Sequence, residues 1–237
     1  MKRLSLYFLL LLAIPTSMQA QFTGGIGRGD HSGNGEIGLY IGGVGRGDIS
    51  LAKDDVILNG DIIVVAGSNG ADGYYSSLTN TLAAFQAINA NDQTGKTIVI
   101  TVWGNSPGES GTNSLNAGNW TSLTIYPKIT GLTISGNGTG PLINLNGADN
   151  VTLDGRLNAS GSAKDLTILK IQIANSAVAN NIKYCDIAGN FYMTGNSSVS
   201  MDGVVTVGGN LTIENGSNLS NSPACNLTVT GKTTIKP

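Results

Sequence analysis

The densest grouping of residues able to do chemistry is Asp149, Asp154, Arg156, Lys164 and Asp165. Clustered carboxylates can hold Ca²⁺, and a nearby Arg or Lys can take a proton. A polysaccharide lyase needs that combination. A plainer reading competes with it. Asp154-Gly155 is turn chemistry, Asp149 suits a turn or a side-chain ladder, and Arg156 can simply pair with a neighbouring carboxylate. The plainer reading is preferred, so Asp149, Asp154 and Arg156 stand as a candidate surface site with no catalytic assignment. Asp186, Asp202 and Glu214 are scattered and do not mark the carboxylate pair that a glycosidase needs. Cys185 and Cys225 are the only cysteines and His31 the only histidine. A Cys/His zinc site or a Ser-His-Asp or Cys-His set has little to build from. The two cysteines are a candidate disulfide if the chain is exported, with two free thiols as the alternative.

Several features indicate export. Met1-Lys2-Arg3 is a short basic region, followed by an apolar run from Leu4 to Ile14 and then Pro15-Thr-Ser-Met-Gln-Ala20. This is the layout of a signal peptide cut after Ala20, and the apolar run is too short to span a bilayer comfortably. No later apolar run is long enough for a transmembrane helix, so no membrane association is expected after cleavage. Removing residues 1–20 leaves eleven basic against fifteen acidic residues, a net charge near −4. A mildly acidic chain gives no support for binding nucleic acid or anionic lipid. Only 12% of residues are charged while Gly numbers 34 of 237, a balance that suits an extracellular β protein. The expected location is secreted or cell-surface.

The elements that would position any site come next. Residues 21–73 form a Gly-rich N-terminal segment in which Gly24-Gly-Ile-Gly-Arg-Gly-Asp30 recurs as Gly42-Gly-Val-Gly-Arg-Gly-Asp48, 18 residues on. The repeat is similar to Gly-rich nonapeptides that bind Ca²⁺ in β-rolls, with Asp one place late, so no cofactor is expected, with Ca²⁺ as the secondary alternative. Arg28-Gly-Asp30 and Arg46-Gly-Asp48 also match an integrin tripeptide that Gly-rich sequence produces readily by chance. Val56-Ile-Leu-Asn-Gly-Asp-Ile-Ile-Val-Val65 reads as a hairpin. Leu78, Leu82, Phe85 and Ile88 recur at helical spacing behind Ser76 and Ser77 as caps, so a helix is expected at about 76–89. It would cover the open end of a stack of strands.

From Thr97 onward strand follows strand. Gly104 to Asn119 reads as a polar loop. The triplets Leu123-Thr-Ile125, Leu132-Thr-Ile134, Val151-Thr-Leu153, Leu166-Thr-Ile168, Leu211-Thr-Ile213 and Leu227-Thr-Val229 place aliphatic residues on one face and Thr on the other. Asn146-Gly147 and Asp154-Gly155 close two such strands. Asn150, Asp165, Asn181, Asn210 and Asn226 step by 15, 16, 29 and 16, which suggests a coil unit near 15 residues with stacked Asn at its turns. The outward Thr residues could form a row matching sugars or ice. Sequons such as those at Asn119, Asn196 and Asn210 follow from composition.

Tyr74-Tyr-Ser-Ser-Leu-Thr-Asn-Thr-Leu-Ala-Ala-Phe-Gln-Ala-Ile-Asn89, Thr94-Gly-Lys-Thr-Ile-Val-Ile100, Leu123-Thr-Ile-Tyr-Pro127 and Leu145-Asn-Gly-Ala-Asp-Asn-Val-Thr-Leu-Asp-Gly-Arg156 resemble the start of right-handed β-helix domains in large secreted surface proteins of Bacteroidetes-type bacteria. The Gly-Gly-x-Gly-Arg-Gly-Asp repeats resemble the segment before such domains. The resemblance covers about residues 22–190 and is structural in content. It implies type IX secretion cargo, in which further modules and a sorting domain usually follow. The sequence to Pro237 shows no such domain, so a truncated or fragmentary member, or a different export route, is expected.

The expected fold is therefore all-β: a right-handed parallel β-helix over residues 74–237, with a capping helix and a Gly-rich N-terminal segment. The expected function is a structural or adhesive surface module that binds carbohydrate or a host surface protein. A polysaccharide-active enzyme of pectate-lyase or glycosidase type is the alternative. The last coil shows no evident cap after Ile235, so end-to-end self-association is a further expectation.

Overall fold

The computed structural model describes residues 62–237. The expected leader, the Gly-rich repeats with their Asp residues, His31 and the first half of the hairpin at Val56 lie outside the described residues.

The described chain opens with strands β1 (Ile63–Ala66) and β2 (Gly73–Tyr75), helix α1 (Ala84–Asn89), and strands β3 (Thr97–Val102) and β4 (Leu115–Asn116). Strands then come in threes. They are β5 (Ser122–Pro127), β6 (Leu132–Ile134) and β7 (Ile143–Asn146); β8 (Val151–Asp154), β9 (Leu166–Ile168) and β10 (Ile171–Ala174); and β11 (Asn180–Lys183), β12 (Asp186–Ile187) and β13 (Phe191–Met193). The last six are β14 (Ser198–Asp202), β15 (Val204–Val207), β16 (Leu211–Ile213), β17 (Asn218–Asn221), β18 (Asn226–Val229) and β19 (Thr233–Ile235).

From β5 onward each strand pairs in parallel with the one three places later. The first sheet runs β2-β1-β3-β5-β8-β11-β14-β17, the second β4-β7-β10-β13-β16-β19 and the third β6-β9-β12-β15-β18. Among the described strands only β1 is antiparallel to its neighbours, β2 and β3. The result is an all-β architecture of long parallel sheets compatible with a β-helix. Among the described residues the first sheet begins at Ile63, ahead of residue 74.

The Leu/Ile/Val-Thr-Leu/Ile/Val alternation produces this packing directly. Ile100 lies beside Ile125, Ile125 beside Leu153, Leu153 beside Ile182, and Ile182 beside Met201. All five are buried. Ile134, Ile168, Ile187 and Val207 form a second inner column in the third sheet. Polar residues between them face outward, where Thr124 meets Thr152 and Thr133 meets Thr167. In the last coil the same alternation continues with less cover, and Ile235 is 74% exposed.

The coil is longer than the spacing of Asn150, Asp165, Asn181, Asn210 and Asn226 suggests. Thr124 pairs with Thr152, 28 residues on, and Asn181 with Ser200, 19 residues on. The apparent unit of 15 is a part-coil step. Asn150 precedes β8 of the first sheet, Asp165 precedes β9 of the third and Asn210 precedes β16 of the second. For the same reason the Thr residues divide among three faces, and Thr212 stands between Tyr192 and Thr234. No single Thr row forms from them.

Asn side chains do bridge coils, at other positions. Asn146 Nδ2 donates to Asn116 Oδ1 at 2.8 Å, and Asn175 Nδ2 donates to Asn146. Asn210 is the one predicted position in such a chain. Its amide N–H donates to Asn190 Oδ1, and its own Oδ1 accepts from Lys232 N–H, both at 2.9 Å. The two Gly turns differ in cause. Gly147 has φ +74, which favours glycine. Gly155 is needed because a Cβ there would lie 2.0 Å from the Tyr184 carbonyl oxygen of the next coil.

The expected helix at 76–89 is corrected to Ala84–Asn89. Leu82 has φ 61 and is 81% exposed, so it breaks the helix and leaves the apolar face. Neither Ser76 nor Ser77 caps it, since the N-cap is Ala83. Residues ahead of it are held by a carboxylate that local periodicity cannot reveal. Glu109, only 1% exposed, accepts from Leu78 N–H at 2.7 Å, Thr79 N–H at 2.8 Å, Thr79 Oγ1 at 2.5 Å and Ser106 Oγ at 2.7 Å. Four donors compensate for burying the charge. Leu78, Phe85 and Ile88 are thereby fixed in the core, with α1 packed against β1 and β4. The polar stretch Gly104–Asn119 is correspondingly more than a loop. Ser106 bridges to Ile134 and β4 joins the second sheet, so it forms a partial first coil.

Leu153 is fully buried and Thr152 faces outward. Leu153→Asp forfeits roughly 1.5–3 kcal/mol of apolar burial and adds carboxylate desolvation. It should abolish the cooperative thermal transition, whereas Thr152→Asp should stay within about 1 kcal/mol of the parent. Equal melting temperatures would overturn the inward and outward assignment. Glu109→Gln replaces acceptor capacity with a donor facing donors, and should lower stability by about 1–3 kcal/mol in a denaturant titration.

Candidate functional site

The carboxylate grouping of 149–165 is taken apart by the fold. Asp149 and Asp154 flank opposite ends of β8. Asp149 Oδ1 accepts from Val178 N–H at 2.7 Å, and its carbonyl accepts from Trp120 Nε1 at 2.6 Å. These contacts tie one coil to the next. Asp154 is 3% exposed and grips Arg156 through both oxygens, with Nε to Oδ1 at 2.8 Å and Nη2 to Oδ2 at 2.6 Å. The guanidinium lies 4.9 Å from the centre of the Tyr184 ring. Its hydrogen bonds to Asp154 raise the Arg156 pKa, so it holds its proton and is unsuited to act as a base. Lys164 reaches Asp186 and donates to Thr206 Oγ1 at 2.8 Å, while Asp165 uses its backbone to join β6 and Gly155.

The three remaining candidate carboxylates fall on different sheets. Asp186 lies in β12 of the third and Asp202 in β14 of the first, while Glu214 follows β16 of the second. Asp202 accepts from Ser222 Oγ at 2.6 Å and Gly203 N–H at 2.9 Å, and these bonds lower its pKa. Glu214 accepts from Tyr192 and from Lys236 Nζ, the latter at 3.1 Å. Among the described residues, no three His, Cys, Asp or Glu side chains gather as metal ligands would. No helix there is long and apolar enough to cross a membrane.

Cys185 and Cys225 are separate thiols. Asp186 pairs with Thr206, and Thr206 with Thr228, so the cysteines directly precede strands two rungs apart. At about 4.8 Å per rung, that exceeds the roughly 7 Å limit between Cα atoms for a disulfide. Burial pushes the Cys185 thiol up to about 12, while that of Cys225 is raised by partial burial and then by Asp202.

One grouping escaped the sequence reading. On the outer face of the first sheet, Trp103, Tyr126 and Lys128 frame a shallow saddle with Val64 and Thr101. Val64 pairs with Thr101, and Thr101 with Tyr126, so the floor crosses three strands. Lys128 Nζ sits 5.5 Å from the Trp103 ring centre and 5.9 Å from that of Tyr126. Trp103 Nε1 donates to Thr101 Oγ1 at 2.9 Å, which sets the angle of the indole. The signal available in sequence was alternation. Val99, Thr101 and Trp103 share one parity, as do Thr124, Tyr126 and Lys128, so both rings fall on the face that the core does not use.

No protein-family model matches the chain, and neither does any curated protein or solved structure.

Thiol labelling checks the site chemistry. Under native, mildly alkaline conditions iodoacetamide should modify Cys225 and spare Cys185, with both modified in denaturant. Modification of Cys185 in the folded protein would contradict its placement in the core.

Proposed function

We propose that this chain is a structural and adhesive module of right-handed parallel β-helix form, exported to the cell surface, whose outer sheet faces bind carbohydrate or a host surface protein. The observation that supports it is the division between inside and outside. Inner columns such as Ile100-Ile125-Leu153-Ile182-Met201 close the interior, leaving three broad faces of ordered polar side chains. A scaffold whose backbone is hydrogen-bonded coil to coil can hold such faces rigid without a ligand. The resemblance of residues 22–190 to secreted Bacteroidetes-type surface domains points the same way, as does the leader-like layout of residues 1–20.

The full chain should bind members of a glycan array or surfaces coated with host matrix proteins. Failure on both would overturn the adhesive reading. Cleavage of acidic polysaccharides by the parent, lost in Asp154→Ala, would replace it with the enzymatic alternative.

A further inference from the structure

We propose that the saddle of Trp103, Tyr126 and Lys128 binds an acidic saccharide, a hexuronate unit stacked on the rings with its carboxylate on the Lys128 ammonium. The inference deepens the adhesive reading and rests on it.

Three observations carry the proposal. The rings do not serve the core. At their level Ile100 and Ile125 fill the interior, while Trp103 and Tyr126 stand half-buried on the outside. Tyr74, the cross-strand partner of Val64, places a further ring on β2, beyond the strand that carries Val64. Second, Lys128 is held above two aromatic faces, and the ion pairs of the described residues belong to Arg156, Lys164 and Lys236. Ring faces attract a cation without neutralising it, so its charge is available to an anion approaching from solvent. The carboxylate one strand further along this face, Asp154, is engaged by Arg156 and does not oppose such an approach. Third, the dimensions fit. Three strands at about 4.8 Å span about 10 Å, room for one or two pyranose rings. The C–H face of a pyranose is apolar and weakly positive, which suits the negative face of an aromatic ring. The Trp103–Thr101 hydrogen bond holds the indole in place before binding, so little ordering is required of it. A neutral glucan could stack here but would leave the ammonium unanswered, which is why the acidic class is assigned.

The test is titration calorimetry of the full chain with oligogalacturonate and, in parallel, with a cello-oligosaccharide, repeated on Lys128→Gln and Trp103→Ala. Circular dichroism verifies that each variant is folded, and Lys128→Gln carries the decision if Trp103→Ala is not. The parent is expected to bind the uronate in preference to the glucan. Lys128→Gln should weaken uronate binding roughly tenfold and flatten its salt dependence, and Trp103→Ala should abolish binding. Equal affinity for the neutral and acidic oligomers overturns the assigned class. Uronate binding unchanged in both variants overturns the saddle and leaves the adhesive reading standing. A parent that binds neither oligomer overturns the saddle, and the array and matrix surfaces then decide the adhesive reading independently.

Discussion

The parallel rung governs this structure. From β8 to β16 each strand finds its backbone partners in the coil before and the coil after, about 4.8 Å away, so a strand residue there is stacked on counterparts of the same orientation. An inner position is therefore a column shared by all coils, and a polar residue in it must be satisfied where it stands. Asn180 shows the condition. It occupies the inner column between Val151 and Val199, buried, and is accommodated because its Oδ1 accepts from Val151 N–H at 2.8 Å and its Nδ2 donates to the Ala148 carbonyl at 3.0 Å. The same stacking dictates Gly155, because the neighbouring backbone comes too close for a Cβ.

The N-terminal end of the described stack obeys a different rule. There the rung loses its preceding coil, and the chain substitutes the antiparallel pair β1 and β2 together with α1. The short helix is not self-supporting at its length. It is placed by the Glu109 carboxylate, which holds the turn ahead of it through Leu78 and Thr79. A polar clamp thus delivers apolar side chains to the end of the core.

How far the sequence revealed this depended on the range of the interaction. Leu123-Thr-Ile125 and its relatives announce strand, inward face and outward face within three residues, and the sheets bear that alternation out. Coil length was not legible, because register depends on how many residues each corner absorbs, and nothing local records that. The observed helix is shorter because Leu82 matches the periodicity while its backbone turns left-handed with its N–H on Gln86 Oε1, and because Leu78 and Thr79 ahead of it are held by Glu109, about 30 positions away. The carboxylate grouping at Asp149 and Asp154 looked close in sequence and is separated by the length of a strand. Conversely, Trp103 and Tyr126 are far apart in sequence and adjacent in space, so alternation showed their face but not their meeting.

Corner length has a consequence of its own. Between β8 and β9 the chain wanders from Gly155 to Asp165 through a 3-10 turn at Leu157–Ala159, whereas the same corner one coil later is Tyr184 and Cys185 alone. The flanking strands stay in register despite the difference. This corner is therefore decoupled from the scaffold's periodicity. Sequence can grow or shrink there without moving a column, which makes it the place where a repeating frame can diversify what it displays.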